Sequence, residues 1–159
     1  MSSNYIIWIG NVFNENEFMQ NSAISPAGNK WQYNAISEIK KHGIKVIVIS
    51  YQQARTWPRG KLIERRNQQI SNDDQYWIEY LNVPYLRDWS IFNGLNKKVK
   101  YHTKIYGKPD CLITYNPSKQ NIMLGEVISN KGIKWVNIWA DSYGLGDRFQ
   151  KAPKEINKV

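Results

Sequence analysis

The chain is poor in the residues that metal and thiol chemistry use. It has one cysteine, Cys111, two histidines, His42 and His102, and 13 acidic residues against 22 lysines and arginines. A lone thiol forms no intramolecular disulfide. Inside the apolar run Asp110-Cys111-Leu112-Ile113-Thr114 it reads as a small buried hydrophobe. One cysteine and two distant histidines exclude a familiar zinc site, and no metal ligand is assigned. Motifs are missing too: there is no G-x-x-x-x-G-K-[ST] phosphate loop, no G-x-S-x-G elbow and no acidic pair of the glycosidase kind. Where a G-x-G-x-x-G dinucleotide fingerprint would follow the first strand there is only Gly10, so neither NAD binding in its usual mode nor another cofactor is expected. No catalytic constellation stands out, and the catalytic residues stay unassigned. No stretch approaches the ~20 apolar residues of a membrane span. The polar Met1-Ser2-Ser3-Asn4 and the short apolar run Tyr5–Ile9 do not make a secretion signal. The expected location is the cytoplasm, with peripheral contact to the inner face of the membrane as an option.

What is present describes an ordinary globular domain. At 159 residues, with 42% apolar and 22% charged side chains, the chain reads as one domain over 1–159 with a core of its own. Seven tryptophans and ten tyrosines exceed what a core alone needs, so some are expected along a groove or interface. The net charge of +9 favours an anionic neighbour: nucleic acid, lipid headgroups or a phosphorylated small molecule.

Periodicity predicts the elements. Tyr5–Ile9 is a continuously apolar strand, as in a sheet covered on both faces. After a polar loop from Asn11 to Ile24, Ser25 caps a helix with Pro26 at its first position. Ala27, Trp31, Ala35 and Ile39 give it an apolar stripe, and Gly43 closes it. Ile44–Ser50 is the second strand, which completes a βαβ unit. Trp57-Pro58-Arg59-Gly60 is turn chemistry, Lys61–Glu64 a short strand, and Tyr76–Leu81 and Val83–Leu86 strand pieces near a sheet edge. Asp88 is expected to cap a helix whose buried stripe is Phe92, Leu95, Val99, His102 and Tyr106. Asp110–Tyr115 is a buried strand, Asn116-Pro117-Ser118 opens a helix that closes at Lys131-Gly132, and Ile133–Ala140 is the last strand. The tail 144–159 reads as frayed. This alternation implies an α/β fold: a Rossmann-like open, mostly parallel sheet with helices on both faces.

Ligands of such sheets bind beyond the carboxyl ends of the strands, at the point where strand order reverses. Here those ends are Gly10-Asn11, Ser50-Tyr51, Tyr115-Asn116 and Ala140-Asp141-Ser142. With the first strand central, Ser50 and Asn116 approach the helix start at Gly28, giving a crevice of hydroxyl and amide groups with one carboxylate. Ser25, Gly28, Asn29 and Lys30 form the best local candidate for holding an anion, with plain helix capping as the competing reading. Asp141 is either a functional carboxylate or a turn cap. His102 fits a core histidine better than a catalytic one. Lys97, Lys98, Lys100 and Lys104 fit a solvated face better than a membrane or acceptor contact.

Four segments together resemble the N-terminal domain of GT-B glycosyltransferases of the retaining group 1, or family 4, type. They are Ser25-Pro26-Ala27-Gly28-Asn29-Lys30-Trp31-Gln32; Gly43–Ser50 followed by Trp57-Pro58-Arg59-Gly60-Lys61; Pro109-Asp110 through Tyr115-Asn116; and Gly132 through Ala140-Asp141. Their order spans nearly the whole chain. The resemblance implies an acceptor-binding half of an enzyme that moves a sugar from a nucleotide-sugar donor to a glycan or lipid-linked acceptor. The donor, a co-substrate rather than a cofactor, would be held mainly by a C-terminal domain, in cis or as a separate chain. Because the sequence stops at Val159, before such a domain, activity of this polypeptide alone is not expected. By the same resemblance the loop with Ser25, Gly28, Asn29 and Lys30, together with Asn116 and Asp141, binds and positions substrate; Ser50 and Tyr115, at the strand ends, join them as binding candidates. Two readings compete: a stand-alone flavodoxin-like module that binds a ligand or partner, and, third, a nucleic-acid-binding domain, disfavoured because basic and aromatic residues do not interleave on one face.

Overall fold

The computed structural model describes residues 4–13, 25–65 and 74–140. Five strands form one parallel sheet: β1 (Tyr5–Ile9), β2 (Lys45–Tyr51), β4 (Gln75–Ile78), β6 (Cys111–Tyr115) and β7 (Lys134–Ile138). Their spatial order is β4-β2-β1-β6-β7, every neighbouring pair parallel. Two short strands, β3 (Ile63–Glu64) and β5 (Tyr80–Leu81), pair antiparallel in a separate ribbon. The expected Rossmann-like α/β sheet is what the chain builds.

Three helices pack on it. Helix α1 (Pro26–Lys41) covers one face, where Ile36 meets Ile6, Trp8, Val46 and Val48. Helices α2 (Arg87–Tyr106) and α3 (Lys119–Ser129) cover the other, where Ile91, Leu95, Val99, Leu124 and Ile128 meet Ile7, Ile9, Ile47, Ile49 and Leu112. All five residues of β1 are buried, so odd positions feed one core and even positions the other. Each large apolar side chain so buried contributes about 1.5–3 kcal/mol.

Several local expectations change. The α1 stripe is rotated: Asn29, Gln32 and Ile36 are buried, Ala35 and Ile39 only partly, and Trp31 is exposed on one side. Two of those three are amides, and they face inward because they bind the loop that follows β1. Asp88 lies in the first turn of α2 rather than at its cap, which is Leu86 without a side-chain hydrogen bond. Val83–Leu86 is a turn, with Tyr85 at φ 65°, not a strand piece. Strand β7 is a half-exposed edge strand instead of a buried one. Borne out are the Ser25 cap, the helix closures at Gly43 and Gly132, both left-handed, and Leu95, Val99 and the fully buried His102 of the α2 stripe; Phe92 and Tyr106 are only partly buried and Ile91 joins the stripe instead.

Candidate functional site

The sheet order reverses between β1 and β6: the chain moves to one side of β1 through α1 and to the other through α2 and β6. The loops at the two carboxyl ends therefore part, and a crevice of about 270 Å³ opens between them. Its wall comes from four places: Gly10 and Asn11 after β1; Ser25, Gly28, Asn29 and Gln32 of the α1 start; Tyr51 and Gln53 at the end of β2; and Tyr115, Asn116 and Ser118 after β6. Every one of these is uncharged. Among the described residues the crevice wall holds no carboxylate, histidine or thiol, and no group of three metal-ligating side chains occurs anywhere.

Amide side chains build the floor. Gln32 accepts from Trp8 Nε1 at 3.3 Å and donates to the carbonyls of Asn11 and Gly28, each at 3.4 Å. Asn29 makes a closed pair with Phe13: the Phe13 N–H donates to Oδ1 at 2.8 Å and Nδ2 donates to the Phe13 carbonyl at 2.9 Å. Gln75 Nε2 donates to the Val12 carbonyl at 2.7 Å. Three amides thus satisfy the backbone of residues 11–13, a task that would otherwise require a tight glycine turn.

The helix starts are less available to an anion than their sequence implies. Ser25 Oγ accepts from the Gly28 N–H at 3.3 Å and Pro26 has no N–H, so the first turn of α1 leaves only the Ala27 amide. At α3 the Ser118 hydroxyl accepts from Asn121 N at 3.4 Å in the same manner. Asn116 adopts φ 65°, and its side-chain oxygen accepts from Ala140 N at 3.2 Å, tying β7's exit to the crevice rim. The Tyr51 hydroxyl accepts from Gln120 Nε2 at 2.8 Å. Burial pushes its pKa up, against the opposing Gln120 and Ser118 hydrogen bonds, so at neutral pH it is an uncharged donor and acceptor. On the outer side Trp31 leans on Tyr115, ring centroids 5.6 Å apart, and on Trp8 at 6.4 Å.

A second recess of about 410 Å³ continues from the first, sharing Tyr51, Gln53 and Ser118 and adding Arg55, Arg87, Asp88 and Gln120. Arg87 Nη1 donates to Thr56 Oγ1 at 3.4 Å, and its guanidinium lies 5.7 Å from the Tyr80 ring. Charge therefore enters at one end only, where two arginines stand against one aspartate.

Of the residues singled out from sequence, Ser25, Gly28, Asn29, Tyr115 and Asn116 line the crevice. Ser50 does not: it is fully buried and outside the wall, and its neighbour Tyr51 takes the place. The strand's period of two decides this, since Ile47, Ile49 and Tyr51 share one side of β2. Lys30 projects to solvent and is also absent from the wall. Asp141 lies outside the described residues. Gln32, Gln53, Ser118 and the two arginines are not among those candidates; of these Ser118 carries a signal, as part of the helix opening Asn116-Pro117-Ser118 directly after a strand end.

These features define an open parallel α/β domain with a neutral, hydrogen-bonding crevice at its switch point. Comparison of the chain with protein-family models, with curated proteins and with solved structures finds no match.

Proposed function

We propose that this domain binds a hydroxyl-rich ligand in the switch-point crevice, as the acceptor-side half of a GT-B type glycosyltransferase. The observation that carries the reading is the wall itself: hydroxyls and amides from four chain segments, with no charged group in the inner crevice. Sugar hydroxyls are matched by such neutral donor-acceptor pairs, whereas a bare anion is best held by cations, and the described wall of the inner crevice carries none. The arginines of the outer recess give an anionic part of the same ligand a place to lie. The described wall offers no general acid or base, so its role is to hold and orient the acceptor, which is itself a large part of rate enhancement.

The test is an amide-resolved NMR titration of the full chain with methyl glycosides, glucose 1-phosphate, UDP-glucose and UDP. Glycosides and sugar phosphates are expected to shift Gly10, Gly28, Asn116 and Ser118 saturably, while UDP leaves them in place. Asn116→Gly keeps the φ 65° backbone and removes the amide. It should weaken binding about tenfold, the effect of one good polar contact. Saturable shifts confined to another surface, or displacement by duplex DNA with a steep salt dependence, would overturn the reading.

A further inference from the structure

Away from the crevice, two short segments hold a dense group of solvent-exposed apolar side chains. Trp57 and Leu62 belong to the loop leading into β3 and Ile63 to the strand itself; Tyr85, Leu86 and Trp89 belong to the turn and first helical residues of α2. Tyr85 is fully exposed and sits at φ 65°, a left-handed conformation unusual for an aromatic residue. The two segments are held side by side by Asn82, which is itself fully buried. Its Nδ2 donates to the carbonyls of Arg55 at 2.7 Å and Lys61 at 3.1 Å, its N–H to Leu62 O at 2.8 Å, and its carbonyl accepts from Trp57 N at 3.0 Å. The apolar tips are therefore presented by a fixed scaffold.

Cations alternate with them. Arg55, Arg59 and Lys61 are exposed, and among the described residues none of the three is in an ion pair. Nearby acids are largely engaged: Glu79 pairs with Arg65 at 2.9 Å and Glu64 is buried against Asn82. Asp88, in the first turn of α2, is the exception.

We propose that this tip docks on an anionic membrane surface, its tryptophan, tyrosine and leucine side chains entering the headgroup layer while Arg55, Arg59 and Lys61 reach lipid phosphates. Tryptophan and tyrosine favour that layer because one end of the ring system is apolar and the other wet. In the run Arg59-Gly60-Lys61-Leu62-Ile63 two exposed cations stand next to two exposed apolar side chains. Such a mix suits a plane where apolar groups go in and cations stay at the phosphates. The chain's net charge of +9 adds long-range attraction to the same surface. Arg55 also walls the outer recess, so the groove opens beside the docking tip. The docking surface stands whether or not the crevice binds sugar.

Cosedimentation of the full chain with vesicles of phosphatidylcholine and phosphatidylglycerol, against phosphatidylcholine alone, tests it. Partitioning should require the anionic lipid, fall with salt, and shift tryptophan emission to the blue. Arg59→Ala and Lys61→Ala should each lower the partition coefficient about fivefold. Tyr85→Asn is the decisive variant: asparagine tolerates φ 65°, so circular dichroism and Tm should hold while binding falls several-fold. Lys97→Glu, on the exposed side of α2, should matter much less. The proposal fails if the wild-type chain does not partition, if Lys97→Glu costs as much as Lys61→Ala while Tyr85→Asn costs nothing, or if Tyr85→Asn abolishes self-association in sedimentation velocity and leaves vesicle binding intact.

Discussion

Gly10→Ala tests how the crevice floor is held. A Cβ at Gly10 would overlap the Gln32 amide oxygen and lie 3.0 Å from Trp8 Nε1. Gln32 is the far end of a flexible side chain, so it can swing away, but then the buried Trp8 N–H loses its acceptor. An orphaned buried donor costs about 1–3 kcal/mol. The long 3.4 Å bonds of Gln32 to Asn11 and Gly28 go with it and add little. Against this, alanine restricts the unfolded chain and returns about 0.4–1 kcal/mol. The net expectation is a loss of about 1–2 kcal/mol, or about 2–8 °C in Tm for a chain of this size. Gln32→Ala should cost a similar amount, because it orphans the same Trp8 N–H. In the double variant the new methyl group enters the space the glutamine left, so the cost should match Gln32→Ala alone, a coupling of about 1–2 kcal/mol. Urea unfolding of the four proteins measures the cycle. Additive costs, or a Gly10→Ala variant more stable than the parent, would refute this account of the floor.

Two further outcomes follow from the packing. Gly125→Ala pits propensity against space: an alanine within a helix ordinarily gains about 1 kcal/mol, but here the Cβ would overlap the Trp135 ring. Overpacking costs about 1–3 kcal/mol, and displacing Trp135 also breaks its 3.0 Å bond to Thr114 Oγ1, so denaturant melts should show destabilisation relieved by Trp135→Leu. His102 supplies a pH test. Burial, and then Lys98, lower its pKa from 6.5, and neither ring nitrogen has a hydrogen-bond partner. The unfolded chain therefore binds the proton first: stability is complete above about pH 6.5 and falls as pH drops below it toward the lower folded value, by at most about 1.4 kcal/mol per pH unit. His102→Phe should flatten that part of the stability-pH curve; an unchanged slope would show that other groups set it.

The amide clamps shape the crevice without giving it charge. Asn29, Gln32 and Gln75 are spent on backbone groups of the loop after β1, and this leaves the hydroxyls and amides of Ser25, Gln53, Asn116 and Ser118 to face the crevice. A ligand site of this kind has no charge signature. Its specificity would rest on hydrogen-bond geometry, since a missing partner hydroxyl leaves a desolvated amide behind.

Local chemistry alone determined much of the domain. Short, β-branched apolar runs such as Tyr5–Ile9 and Ile44–Ser50 read as strands covered on both faces, and Ser25-Pro26, Gly43 and Gly132 mark helix ends through a cap bond and left-handed backbone. Alternation of those elements then leads to a parallel sheet; its strand ends point to Tyr115 and Asn116, and the α1 start to Ser25, Gly28 and Asn29, all of which line the crevice. Tertiary structure decided the rest. Whether Ser50 or Tyr51 faces the crevice depends on which side of β2 is turned toward α2 and α3, and that follows from strand order rather than from the run's hydrophobicity. The inward turn of Asn29 and Gln32 on α1 depends on backbone groups at residues 11–13, more than a dozen positions away in the chain. Arg55 and Arg87 come to one recess because Asn82 and the β3–β5 pairing fold residues 55–63 back on the start of α2. Periodicity reports which side of an element is apolar; it does not report which distant polar group will be waiting there.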